Sequence, residues 1–162
     1  MVVMYLKKSI IAEVMAYLKR KQGDKMDLIT WSSQLSVGVI EIDTQHKRLI
    51  DIINRLNDAM HSGKESEALG KVLTELVEYT VYHFNTEEHL MLQRNYVDSP
   101  THKLEHKRFI ETITGFKKKF DAGDVKISTD IMNFLRDWLT SHILKTDKKF
   151  AHTLNTGAFF KS

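Results

Sequence analysis

Cysteine is absent from the 162-residue sequence. That excludes disulfides, zinc–thiolate sites, iron–sulfur clusters and a cysteine nucleophile, and it fits a reducing compartment such as the cytoplasm. Proline occurs once and glycine seven times, so little interrupts long helices. No apolar run approaches the roughly 18 residues that a membrane-spanning helix needs. The N-terminus does not read as a secretory signal, because Glu13 interrupts its apolar stretch and no small-residue cleavage site follows. Net charge is only +3. Residues 1–25 hold Lys7, Lys8, Lys19, Arg20, Lys21 and Lys25 against Glu13 and Asp24, a sum of +4 that leaves −1 for the rest. A body so near neutrality is not a nucleic-acid surface. No glycine-rich phosphate loop occurs, and no serine stands in a plausible histidine–acid arrangement.

What is present is helical periodicity. Hydrophobic residues make up 42% of the chain, enough for one core in one domain. Val3, Leu6, Ile10, Val14, Tyr17 and Leu18 predict an amphipathic helix over 3–18, followed by a polar linker from Lys19 to Asp27. Residues 1–25 are thereby a candidate surface for a protein partner or for self-association. Trp31 to Ile42 reads as an extended arm over the body. Four longer helices follow: Asp43 to Met60 with Asp43 as N-cap, Ser66 to Leu92, Thr101 to Phe120 and Ser128 to Phe150. Turns fall at His61 to Lys64 and Asp121 to Asp124, and Gln93 to Pro100 is a break. Connections this short favour an all-α, antiparallel up-down-up-down four-helix bundle over residues 28–155, with 1–27 in front and 156–162 as a tail.

The histidines are not scattered. His83 and Glu87 are four apart, as are His102 and His106, while His142 and Asp147 are five apart and His46 stands alone. Residues four apart on an α-helix differ by about 6 Å along the axis and about 40° around it, so both can point at one place. Each position also continues an apolar stripe: His46 with Ile50 and Ile53, His83 with Leu76 and Leu73, His106 with Phe109 and Ile113, His142 with Trp138 and Leu135. All therefore face the interior, where an unpaired charge is costly. Seven polar groups converging from four helices need something positive between them, and seven donors are too many for one ion. Two first-row ions sharing the carboxylates account for the number. Imidazole and carboxylate without sulfur suit iron, and leave zinc, manganese and copper open. His61, His89 and His152 fall off these faces and read as solvated. Trp31 and Trp138 read as core residues, not stacking platforms. Five-residue spacing separates His142 and Asp147 by about 140° on a regular helix. The sequence therefore predicts a widened π-type turn between Ile143 and Asp147, or a helix end there.

The motifs H-F-N-T-E at 83–87, H-K-L-E-H at 102–106 and H-I-L-K-T-D at 142–147, with His46 and its preceding W-S-S-Q-L-S-V-G-V-I-E-I-D-T-Q, resemble the hemerythrins, specifically the bacterial hemerythrins. The resemblance runs from about Ile29 to Phe150 and does not touch residues 1–27. It implies a di-iron centre. His102, His106 and His142 would hold one iron, His46 and His83 the other, with Glu87, Asp147 and an oxo or hydroxo group bridging them. It also implies that dioxygen is the ligand, bound reversibly in a pocket lined by Leu139 and Trp138, and that the protein is a carrier, not an enzyme. The competing expectations are an oxygen or redox sensor working through the N-terminal extension, and a di-iron enzyme acting on oxygen, peroxide or nitric oxide. Against the enzyme, no Glu-x-x-His pair of the carboxylate-rich oxidases occurs in the sequence.

Overall fold

The structure, a computed structural model, describes residues 27–64 and 66–156. The amphipathic helix expected over 3–18, its linker and the tail after 156 lie outside the described residues. Four helical rods form the body: α1 (Ile40–His61), α2 (Ser66–Gln93), α3 (Ser99–Asp121) and a fourth made of α4 (Thr129–His142), a π-helical turn (Ile143–Asp147) and α5 (Lys148–Thr156). The all-α four-helix bundle read from the sequence is what the chain forms.

The three reversals share one device. At the end of α1, Gly63 N–H bonds Met60 O and Lys64 N–H bonds Ala59 O. After α3, Gly123 and Asp124 bond Phe120 and Lys119 in the same way, and after α2, Asn95 and Tyr96 bond Leu92 and Met91. Each is a Schellman closure, whose pivot needs a left-handed backbone. Gly63 and Gly123 supply it at φ 62° and 78°, and Asn95, the non-glycine residue best suited to that region, supplies it at φ 48°. The helix is stopped and turned within a few residues, so consecutive helices lie antiparallel. Buried side chains then meet along the axis: Ile42, Leu49, Ile53 and Leu56 of α1, Leu73 and Leu76 of α2, Phe109 and Ile113 of α3, Met132, Leu135 and Leu139 of α4.

Several boundaries differ from the sequence reading. α1 begins at Ile40, so the arm ends at Val39 and contains a short 3₁₀ turn at Ser33–Leu35. Asp43 is not the N-cap: Val39 is, and its side chain cannot cap. Asp43 sits in the first helical turn and reaches back, accepting Val37 N–H at 2.7 Å, Gly38 N–H at 3.3 Å and Ser36 Oγ–H at 2.5 Å. A carboxylate there also faces the positive end of the helix dipole. Gly38 makes this entry possible, with φ at +76° and an added Cβ lying only 3.3 Å from Asn155 Nδ2. Pro100 lies within the first turn of α3, where a missing N–H costs nothing, so the break is confined to 94–98. The fourth rod runs on to Thr156.

The arm is fastened by a residue the periodicity did not single out. Asn54, on α1, accepts Ile29 N–H at 3.0 Å and donates to Ile29 O at 2.9 Å. That pair satisfies both backbone groups of a buried residue, and Ile29, Leu35 and Val37 then join the core. Asn54→Ala leaves two buried backbone groups unpaired, which costs about 1–3 kcal/mol for each. The expected result is a lower urea midpoint at unchanged m-value with unaltered metal content; an unshifted midpoint would show that the arm is not held by this pair.

Candidate metal centre

The bundle's alternation decides which residues meet. His46 stands near the start of α1, His83 and Glu87 near the end of α2, His102 and His106 near the start of α3, and His142 at the end of α4. Only antiparallel neighbours bring these ends to one level. Asp147 joins them because the backbone widens after His142. Ile143–Asp147 is the π turn that the five-residue spacing requires, and it carries Asp147 inward until 1% of its side chain is exposed.

The seven residues fall into two groups that share members. Glu87, His102, His106, His142 and Asp147 present one donor atom each within 4.8 Å of one another, and so do His46, His83, Glu87 and Asp147. All seven are buried. His142 Nε2 lies 3.2 Å from His102 Nε2 and 3.1 Å from His106 Nε2. His102 and His142 Nε2 each lie 3.1 Å from Asp147 Oδ1, His106 Nε2 lies 3.2 Å from Glu87 Oε2, and His46 Nε2 lies 3.2 Å from Asp147 Oδ2. Donors about 2.1 Å from a common ion and at right angles are about 3 Å apart, which these spacings match. None of the four oxygens of Glu87 and Asp147 accepts a well-formed hydrogen bond despite these approaches. The nitrogens and oxygens aim at the space between them, not at each other. Two buried carboxylates without hydrogen-bond donors would be prohibitively costly alone. The residues present therefore fit a pair of cations.

The protons in the metal-free chain tell the same story. For His102, burial disfavours the cation, but the adjacent Asp147 and Glu87 carboxylates outweigh it and push the pKa up to about 9. His142 moves up likewise, against its burial, through Asp147 and Glu87. Burial and Asp147 push Glu87 up, yet His83, His102 and His106 hold it near 2. Burial pushes Asp147 up, yet His142, His102 and His46 hold it well below the carboxylate range. His83, with burial dominant, falls to about 4. A proton on the three-histidine side thus stands in for part of the missing positive charge.

Beyond the donors lies a set of partners that the spacing argument overlooked. His83 Nδ1 is 2.9 Å from Gln45 Oε1, His106 Nδ1 is 3.1 Å from Glu88 Oε1, and His142 Nδ1 is 2.8 Å from Glu105 Oε2. These contacts place Nε2 as the inward lone pair. Their signal in the sequence is adjacency: Gln45 precedes His46, Glu88 follows Glu87, and Glu105 precedes His106. A neighbour on a helix is rotated about 100° and so faces the next helix's ligand. Aromatic rings wedge the imidazoles. Phe84 stacks on His106 at 3.7 Å, and Trp138 stacks on His142 at 4.5 Å with Phe109 behind it at 3.8 Å. Trp138 packs against the core, as the sequence reading has it, and its ring also braces His142. Trp31 is half-buried beneath Lys47 Nζ, 5.0 Å from its ring. His61, His89 and His152 are exposed, as expected.

Leu139 and Trp138 line a cavity of about 10 Å³, with Leu49, Ile53, Leu76, Thr80, Phe84 and Phe109 as its other walls. Leu49 and Leu139 each lie three residues from a histidine of the cluster, His46 and His142, and Thr80 lies three from His83. The cavity is therefore about one helical turn along the axis from the donor layer. Thr80 Oγ1 donates to Leu76 O at 2.7 Å, so the one hydroxyl in the wall is already engaged.

An all-helical bundle with these two adjoining donor groups is a metal-binding four-helix bundle of the histidine-rich kind. The family model for the hemerythrin HHE cation-binding domain matches residues 37–154. The chain is 38% identical to the bacteriohemerythrin of Methylococcus capsulatus over 131 residues, covering 80% of this chain and 99% of that protein. It is 39% identical to the Pseudomonas aeruginosa bacteriohemerythrin, covering 74% and 76% of the two chains. A solved wild-type hemerythrin superposes with a TM-score of 0.75 at 37% identity, covering 78% of this chain and 98% of that one. The chain belongs to the hemerythrin family. Among the described residues, no helix is long and apolar enough to cross a membrane.

The charge balance has a measurable sign. His102 has a folded pKa near 9 against an ordinary value of 6.5. In the metal-free chain its stabilising contribution is fully present below pH 6.5 and disappears as pH rises through 9. A bound cation replaces that proton, so the metal-loaded chain should not lose this increment. Urea midpoints of both forms at pH 6.5 and 9 test this; a metal-free midpoint that holds steady over that range would rule the proton out as the compensating charge.

Proposed function

We propose that the chain holds two iron ions between His46, His83, Glu87, His102, His106, His142 and Asp147, and that it binds dioxygen reversibly as a carrier, store or deliverer. The observation that carries this reading is the pair of donor groups joined through Glu87 and Asp147. Two residues common to both groups act as bridges, which a pair of independent sites would not need. Iron is favoured over other first-row ions by the sulfur-free donor set together with the family.

The iron pair, when bound, supplies the electrons that a reversibly held dioxygen needs. The chain's own contribution is asymmetry and exclusion of water. Five residues converge on one position and four on the other, so the His46–His83 position is the one left open to a small ligand. The cavity bounded by Leu139, Leu49 and Ile53 lies about one helical turn along the axis from the donor layer and is too small for more than about one small molecule. Its wall is largely apolar, and its one hydroxyl, that of Thr80, is committed to the backbone. An enzyme that cleaves dioxygen needs protons delivered there. A carrier needs them withheld.

Two measurements test the proposal. Elemental analysis of protein purified under iron-replete conditions should give about two irons per chain, and colour should appear when anaerobically reduced protein meets air and leave under argon. One metal, or colour that never reverses, would defeat the carrier reading. The cavity is tested by Leu139→Ala. Truncating a buried leucine costs about 2–5 kcal/mol whatever its role. If the leucine also keeps water out, autoxidation should quicken severalfold with iron content unaltered. Lost stability with an unchanged autoxidation rate would reduce Leu139 to a packing residue.

A further inference from the structure

We propose that Glu88 and Glu105 are positioning residues that make the His102–His106–His142 position the tighter of the two metal positions, so that it fills first. This rests on the two-metal reading above and adds an order to it. The observation is an imbalance in what stands behind the imidazoles. His142 Nδ1 meets the Glu105 carboxylate at 2.8 Å, and the same oxygen accepts Thr146 Oγ1–H at 3.0 Å, which fixes an otherwise half-exposed side chain. His106 Nδ1 meets the Glu88 carboxylate at 3.1 Å, whose other oxygen lies 3.5 Å from Lys103 Nζ. On the other position, His83 Nδ1 meets only the neutral amide oxygen of Gln45, and His46 Nδ1 has no partner.

The consequence is chemical. A carboxylate that accepts Nδ1–H draws that proton outward and leaves Nε2 a stronger donor, whereas an amide does so far less. Two of the three imidazoles on one position are strengthened in this way, and neither of the two on the other. Glu105 should outweigh Glu88, because its distance is shorter and Lys103 takes part of the Glu88 charge.

The test uses the full-length, metal-free chain titrated with cobalt(II), whose visible absorption reports each bound ion without any activity assay. Two successive equivalents are expected. Glu105→Gln, which keeps shape and hydrogen-bonding capacity but removes the charge, should weaken the first about tenfold or more, and Glu88→Gln should weaken it less. His83→Ala should abolish the second equivalent and keep the first. Uptake of both equivalents in one unresolved phase by the unaltered chain, or a first phase indifferent to both glutamine variants, would overturn the proposal while the two-metal reading stands. A single equivalent in total would remove that reading and this inference with it.

Discussion

Two carboxylates buried side by side, Glu87 and Asp147, are the constraint on which the rest of the structure depends. Each is fully withdrawn from water and neither accepts a well-formed hydrogen bond. Their mutual repulsion and lost hydration must be met by positive charge within a few ångströms. Five imidazoles surround them, and neutral imidazole meets that need only by sharing an ion. The alternative visible in the metal-free chain is protonation on the three-histidine side, with His102 and His142 both shifted upward. Metal and proton therefore compete for one electrostatic role. Folding, metal content and pH are linked through that single competition.

The backbone yields to this constraint at one place. A regular helix would carry Asp147 about 140° away from His142, and Ile143–Asp147 widens into a π turn instead. Such turns sacrifice regular hydrogen bonding and are found at functional sites for that reason. Here the gain is double. The widening delivers Asp147 to both donor groups and also sets Thr146 Oγ1 on Glu105. One irregularity thus places a bridging candidate and steadies the partner of His142.

Why some of this was legible in the sequence and some not follows from distance along the chain. A ligand pair such as His83 and Glu87 is written within one helical turn, and its interior orientation is written in the apolar stripe it continues. The π turn was legible for the same reason, since a five-residue interval between two interior groups has no solution on a regular helix. Asn54 and Asp43 were not, because what they do is decided elsewhere. Asn54 clamps Ile29, 25 residues away, and Asp43 looks like a cap until the helix is seen to begin a turn earlier. Glu105 and Glu88 were masked in another way: a glutamate beside an interior histidine looks like ordinary helix surface until the neighbouring helix is in place. Interior patterns are local, whereas the partners that tune them come from packing.

The surroundings of the donor layer differ by direction, and the difference explains how one site can be both dry and tuned. Along the bundle axis it is closed by packed, mostly apolar side chains. On one side are Leu49, Ile53, Leu76 and Leu139; on the other, His102 packs against Tyr96 and Phe150, whose rings join Met91 in a second apolar cluster. Sideways, between helices, it meets half-buried carboxylates at Glu88 and Glu105. A low-dielectric interior strengthens each electrostatic contact it contains. Outer carboxylates therefore bear on the donor layer through the imidazole rings, away from the apolar cavity. Polarity enters through the rings, apolar side chains close the axis, and the antiparallel bundle keeps the two surroundings apart.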